Sequence, residues 1–267
     1  MRQTKTVTQV ETVVQGRVPA GIVDYARTKT AALAGRAREP IPFARLKLIQ
    51  GRDPAAERTA IAQATLDLDG RPVRAHAAAS TMREAVDLLM DRLHRRLADV
   101  NEHWEARRGG MTAPGRWRHI SEPTHRPAHY PRPVEEREIV RHKSFALPWE
   151  TPDEAVFEME SMDYDFHLFT DSGTGMDSLI YRAGPTGYRL AQTTPRTEPG
   201  PLAVPLTVSA VPAPSLSTGQ AAERLEALGL PFVFFVDTAT DRANVLYHRY
   251  DGHYGLITPA DGGAAPR

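Results

Sequence analysis

The chain has 267 residues, with 33 Lys and Arg against 33 Asp and Glu, and no cysteine. Disulfides and thiolate metal sites are therefore excluded, which suits a reducing compartment. The zero net charge hides a division: residues 1–108 carry 19 Lys/Arg and 13 Asp/Glu, a net of +6, whereas residues 151–267 carry 7 and 15, a net of −8. A basic front is suited to nucleic acid, and an acidic back is repelled by phosphate.

Residues 8–14 (TQVETVV) read as a first strand. Pro19 suits the first turn of a helix. The segment GIVDYARTKTAALAGRA then places Ile22, Tyr25, Ala26, the stem of Lys29 and Leu33 at helical spacing. Pro40 and Pro42 end it. FARLKLIQ (43–50), TAIAQATLDL (59–68) and PVRAHAAA (72–79) alternate as strands, the last two joined by a DG turn at 69–70. Arg45 and Lys47 fall on one face, as do Arg74 and His76, which predicts a basic stripe on an open sheet. Ser80 or Thr81, with Glu84, then forms a capping box. The long helix that follows carries the apolar stripe Met82, Val86, Leu89, Leu93, Leu97, Val100 and Trp104. Arg83, Arg92, Arg95 and Arg96 take its other faces, where a solvated helix surface is the plainer reading.

The order β-α-β-β-β-α predicts an α+β domain over residues 1–106, a four-stranded sheet with two helices on one face. Residues 107–136 gather Pro114, Pro123, Pro127, Pro131 and Pro133 among Gly, His and Arg, and read as a stiffened linker. His119, His125, His129 and His142 show no metal-ligand spacing, and no metal site or cofactor is expected.

The remainder is a repeat. Residues 151–190 and 217–256 align without a gap at an offset of 66. Phe166 falls on Phe232, Phe169 on Phe235, Asp171 on Asp237, Tyr181 on Tyr247 and Tyr188 on Tyr254. Two copies are too few for a solenoid, so two small homologous α+β domains are expected, over 137–192 and 204–260, with a joint at 193–203. Each has a capped helix (Thr151 with Glu154, Ser217 with Gln220) and three short strands. REIVRHKSFAL (137–147) reads as a strand leading into the first copy, and LAVPLTVSAV as the second copy's own first strand. The loop SGTG (172–175) is a hairpin turn, since TATD occupies the same place in the second copy. His167 reads as a hydrogen-bonded interface residue, and no nucleophile–base pair is present, so an enzyme is not expected.

The linear order resembles the long-form ribosome hibernation promoting factors, a family of ribosome-associated translation inhibitors. In the tail, IVRHKSF, then a helix, then FHLFTD and a hairpin to a YR strand resemble that family's C-terminal domain, and DGHYGLI resembles its ending. The helix REAVDLLMDRLHRRLADVNEHW resembles the family's basic closing helix. Asp99 departs from it, standing where a basic residue is usual. The resemblance implies binding to the 30S subunit or 70S ribosome through 16S rRNA, in the decoding channel along the A and P sites and the mRNA path. Translation is then blocked and ribosomes are preserved in stress or dormancy. It implies a self-associating tail and RNA contacts by Arg92 and Arg95, which stand at the family's basic pair, and by Lys29, which matches a basic position on the first helix. Arg83 and Arg96 extend that patch, and Arg45, Lys47, Arg74 and His76 add the sheet stripe as further expected RNA contacts.

PFVFFV (231–236) has no polar position, so it needs cover on both faces. A tethered homologous copy has a high effective concentration. The copies are expected to pair within one chain through Phe166, Phe169, Tyr181, Phe232, Phe234 and Tyr247, silencing single 70S ribosomes. Two alternatives stay open: a tail that joins ribosomes into 100S particles, and a non-ribosomal RNA-binding stress protein. The start MRQTKTVTQVETVV lacks a signal-peptide core, and no apolar run approaches the ~18 residues of a membrane span. A cytoplasmic protein with no membrane or small-molecule partner is expected.

Overall fold

The protein is described here from a computed structural model. It covers residues 9–37, 39–51, 59–68, 70–108, 132–183, 187–196, 202 and 204–260, with the backbone alone at 36 and 101–108. Residues 109–131 of the proline-rich linker, residues 197–201 and 203 of the joint, Asp69 and the side chain of Trp104 lie outside the described residues. Two compact units emerge, the first built on residues 9–108 with 160–164, the second on 132–159 and 165–260.

The first unit follows the predicted order. Strands β1 (Gln9–Gln15), β2 (Phe43–Gln50), β3 (Ala60–Leu68) and β4 (Arg71–Ala79) form one sheet in the order β1-β2-β3-β4. The β1–β2 pair is parallel and the others are antiparallel. Alternation sends Ala44, Leu46, Leu48, Ala62, Ala64, Leu66, Val73, Ala75 and Ala77 inward, where each is buried. Helices α1 (Ile22–Arg36) and α2 (Met82–Arg108) supply Ala26, Leu33, Met82, Val86, Leu89, Leu93 and Leu97 to the same core. Thr81 caps α2 by accepting from the Glu84 amide at 3.2 Å, and Ser80 donates to the Glu84 carboxylate at 3.0 Å. One correction concerns α1. Lys29 is exposed, and Thr30 takes the buried place, its hydroxyl donating to the Ala26 carbonyl at 2.8 Å. That back-bond lets a small polar side chain enter the core with its donor satisfied.

In the second unit the offset of 66 holds element by element. Strand β6 (Trp149–Glu150), α3 (Pro152–Ser161), β7 (Phe166–Asp171), β8 (Asp177–Arg182) and β9 (Tyr188–Gln192) recur as β11 (Ser215–Leu216), α4 (Thr218–Leu228), β12 (Phe232–Asp237), β13 (Ala243–His248) and β14 (Tyr254–Pro259). Both helices begin at the expected boxes. Thr151 accepts from the Glu154 amide at 3.3 Å, and Ser217 from the Gln220 amide at 3.3 Å.

The first strands depart from expectation. Strand β5 (Ile139–Phe145) runs parallel to β14 at the edge of the second copy's sheet. Strand β10 (Leu206–Val208) runs parallel to β9 in the first copy's sheet. The sheet orders are β10-β9-β8-β7-β6 and β11-β12-β13-β14-β5, so each copy holds the other's leading strand. The connections explain the exchange. Pro148 follows β5 closely, and Pro212 and Pro214 follow β10, and each proline holds the residue before it extended. The extended connection carries the chain past its parent copy, and exchange of an equivalent element between homologous units is a low-cost arrangement.

Candidate functional site

The cationic residues of the first unit fall into three settings. On the sheet face opposite the helices, cross-strand register aligns Arg45, Thr65 and Arg74 in one row, and Lys47, Gln63 and His76 in the next. This is the stripe that alternation predicted. Arg45 also meets Glu11 of β1 at 3.3 Å, and both side chains are about half exposed. The stripe continues into a small apolar cluster of Ile49, Ile61 and Ala78.

Along the seam between α1 and α2, Tyr25 organises the charges. The Arg83 guanidinium lies 4.3 Å from the centre of its ring and the Lys29 ammonium 5.3 Å. Lys29 also pairs with Asp87 at 3.2 Å, and the Tyr25 hydroxyl donates to the same carboxylate. The bond from Asp87 holds the Lys29 pKa above its ordinary value. Sequence reasoning assigned Tyr25 to the core and missed this role. Its spacing of four from Lys29 was the available signal. Arg95 lies on the outer face of α2, beside a shallow groove lined by Leu88, Asp91, Arg92 and His94.

The third setting is the free edge of β4. Arg92, expected on the helix surface, is only 5 % exposed, and its guanidinium donates to the His76 carbonyl at 2.5 Å. The His76 amide donates to Asp163 at 2.9 Å. The same carboxylate is held by the His76 ring and by Arg96, with Arg92 at 3.7 Å. An edge strand leaves every second amide and carbonyl without a ladder partner, and here side chains supply them. Burial opposes ionisation of Asp163, but the His76 hydrogen bond and the surrounding cations outweigh it and hold its carboxyl well below the usual range. The cluster is built to hold an anionic oxygen. His76, expected on the open stripe, is instead buried, 7 % exposed, with its ring against Asp163 at this edge. Nothing in the spacing of Asp163 announced the contact, because it lies 87 residues from His76.

In the second unit, β12 is covered on both faces, as its unbroken apolar run requires. Val233 and Phe235 pack with Ala221 and Leu225 of α4. Phe234 lies on the opposite face in a cluster with Leu147, Leu168, Leu179, Ala243 and Val245, and Phe166, Tyr181 and Phe232 pack against it. The Phe166 ring is 4.9 Å from that of Phe232 and 5.8 Å from that of Tyr247, and Tyr181 is 5.4 Å from Phe232. Five of the six aromatic residues expected at this contact are thus brought together. Phe169 is not. It alternates with Phe166 and Leu168 along β7 and points to the other face, beside His167 at 6.1 Å. His167 bonds Glu150 of its own copy at 2.9 Å rather than crossing to the other.

Arg137, just before the exchanged strand β5, donates to both carboxylate oxygens of Glu226 at 2.6 Å. Tyr254 donates to Glu226 at 2.6 Å. Burial, followed by the bond to Glu226, pushes the Tyr254 phenol up to about 12. Among the described residues no group of three or more His, Asp or Glu forms a metal site, and no helix is long and apolar enough to cross a membrane.

A β-α-β-β-β-α unit with a cationic sheet face, followed by twin copies of one small α+β module, defines a two-part α+β protein. The chain belongs to the sigma 54 modulation/S30EA family, that of the ribosome hibernation promoting factors. Residues 134–190 and 207–256 each match the family described as the sigma 54 modulation/S30EA ribosomal protein C terminus. A dormancy associated translation inhibitor of Mycobacterium tuberculosis (strain H37Rv) is 37 % identical over 219 residues, spanning 79 % of this chain and 74 % of that protein. The protein of the same description from strain CDC 1551 / Oshkosh gives the same values. Among solved structures, the N-terminal domain of Thermus thermophilus protein Y is 21 % identical, covering 34 % of this chain and 98 % of its own, with a TM-score of 0.29.

Proposed function

We propose that this chain is a ribosome hibernation factor. Its basic first unit sits in the decoding channel of the small subunit, along the A and P sites and the mRNA path, and blocks translation while ribosomes are preserved in stress or dormancy. The observation that carries this reading is the 37 % identity, across 79 % of the chain, to a dormancy associated translation inhibitor. The physical chemistry agrees. Arg45, Lys47 and Arg74 line one sheet face, and Arg83 and Arg95 line α2, so phosphates of structured RNA meet two cationic surfaces. His76, Arg92 and Arg96 are engaged with Asp163 at the β4 edge and are not counted among these surfaces. The protein acts in the cytoplasm, without cofactor or catalysis.

The two tail copies close on each other within one chain, so that single 70S ribosomes are silenced. Reciprocity supports this. Phe166 meets Tyr247 and Tyr181 meets Phe232, and these are the same pair of positions seen from either copy. The test is co-sedimentation with 30S, 50S and 70S particles across a salt series, followed by sucrose-gradient profiles. Binding to 30S and 70S that weakens steeply with salt, with ribosomes staying at 70S, is the expected result. Binding to free RNA with no preference for 30S particles overturns the ribosomal reading. A strong 100S peak overturns the closed tail.

A further inference from the structure

The contact between the tail copies is symmetric in its aromatic residues and asymmetric in its charges. Arg242 forks onto Asp177, Nε donating to Oδ2 at 2.9 Å and Nη2 to Oδ1 at 3.3 Å. Asp177 is 11 % exposed and Arg242 33 % exposed. Thr170 adds a third bond to the same carboxylate at 3.2 Å. The offset of 66 maps Asp177 to Ala243 and Arg242 to Met176. The counterpart of this salt bridge across the pseudo-twofold is therefore an alanine and a methionine.

The shared apolar cluster is divided in the same way. Leu147, Leu168 and Leu179 correspond to Ala213, Phe234 and Val245. Each position has a different size in the two copies, so the cluster is filled by one set from each. Two first-copy faces placed together would bury two Asp177 carboxylates against methionine with no cation. Two second-copy faces would turn both arginines toward alanine. A desolvated carboxylate without its partner is strongly destabilising, and such penalties set specificity.

We propose that Asp177 and Arg242 are specificity determinants: each tail face accepts the other face and refuses a copy of itself. The inference rests on the closed-tail reading above and deepens it. A self-complementary interface must satisfy itself under the two-fold operation, and this one does so only with unlike halves. Tethering then brings the two unlike halves together in the same chain. Two chains that satisfy both charge pairs between them do so by reciprocal exchange, first copy to second copy, twice.

The test uses four full-length chains: wild type, Asp177→Arg, Arg242→Asp, and the chain carrying both changes. Each single change sets like charges against each other, and about a tenfold or greater loss in the folded-to-unfolded ratio of the tail is expected in urea. The doubly changed chain recovers most of that loss. An equimolar mixture of the two single variants can satisfy both charge pairs only between chains. Native mass spectrometry or sedimentation equilibrium should then show a one-to-one complex absent from either variant alone. Single variants that unfold like wild type, a double change that recovers nothing, or a mixture with no complex each overturn the assignment. A wild-type chain that sediments as a dimer instead overturns the closed tail itself, which separates the two failures.

Discussion

Phe166 and Phe232 occupy the same position in the two tail copies, and their rings touch, with centroids 4.9 Å apart and planes tilted by 48°. Contact between equivalent residues is the mark of a two-fold interface, where the axis passes between a position and its own image. Tyr181 and Tyr247 flank that contact reciprocally. Aromatic pairs of this kind add about 0.5–1.5 kcal/mol beyond the area they bury. The exchanged strands β5 and β10 reinforce the same relationship through the backbone.

Gly255 is the tightest point in this arrangement. A Cβ placed there would lie 2.3–2.6 Å from ring atoms of Tyr247, its cross-strand neighbour. Tyr247 has little room to give, because its ring packs on Phe166. Gly255→Ala should destabilise the tail by about 1–3 kcal/mol. Gly219→Ala in α4 meets nothing closer than 3.9 Å and should stabilise it, by about 0.4–1 kcal/mol. Urea midpoints of the two variants, moving in opposite directions, check the pair.

The tail should also have an alkaline limit set by Tyr254. Its phenol has an ordinary pKa near 10, and in the folded chain it is pushed up to about 12. The proton is thus held more tightly in the folded state. The stabilisation is complete below pH 10 and is lost as the pH rises through 12. Unfolding followed between pH 9 and 12 should show this loss in the wild-type chain and not in Tyr254→Phe. Phenolate absorbance near 295 nm reports the titration directly.

Asp163 should set an acid limit on the first unit. Its carboxyl is held well below the usual range despite burial, so its contribution is present above about pH 4 and is lost as the pH falls through the folded value. Stability measured from pH 5 downward should decline in the wild-type chain and remain flatter in Asp163→Asn. Asp163→Ala at neutral pH should cost about 3–5 kcal/mol, because it strands buried cations, including Arg92 and Arg96, without their anion.

The open sheet face should be readable through salt. Arg45→Ala combined with Arg74→Ala removes two cations from one cross-strand row. Stability should change by no more than about 0.5 kcal/mol per site, as for surface substitutions elsewhere. The slope of log affinity against log salt for 30S particles should become shallower by about 1–2, roughly one per lost phosphate contact. An unchanged slope would show that this row does not face the RNA.

Most elements were legible because their signals are local. Thr81 with Glu84, and Ser217 with Gln220, mark helix starts through bonds that span three residues. The alternation of Arg45 and Lys47 with Ala44 and Leu46 placed the basic stripe on the correct face. The same alternation, applied to β7, would have removed Phe169 from the expected contact. Arg92 and Asp163 were not legible, because a buried ion cluster depends on which distant groups share an edge.

The sequence by itself determined the order of elements, the division of charge and the presence of two copies of one tail module. Each of these follows from periodicity, capping and composition, which act over a few residues. Only the tertiary structure decided that β5 completes the second copy and β10 the first, that Lys29 yields its buried place to Thr30, and that Asp177 meets Arg242. Those outcomes depend on which of two nearly identical surfaces a strand or side chain reaches. That choice is made by tether length, proline-held connections and the cost of an unpaired charge, none of which has a periodicity to read.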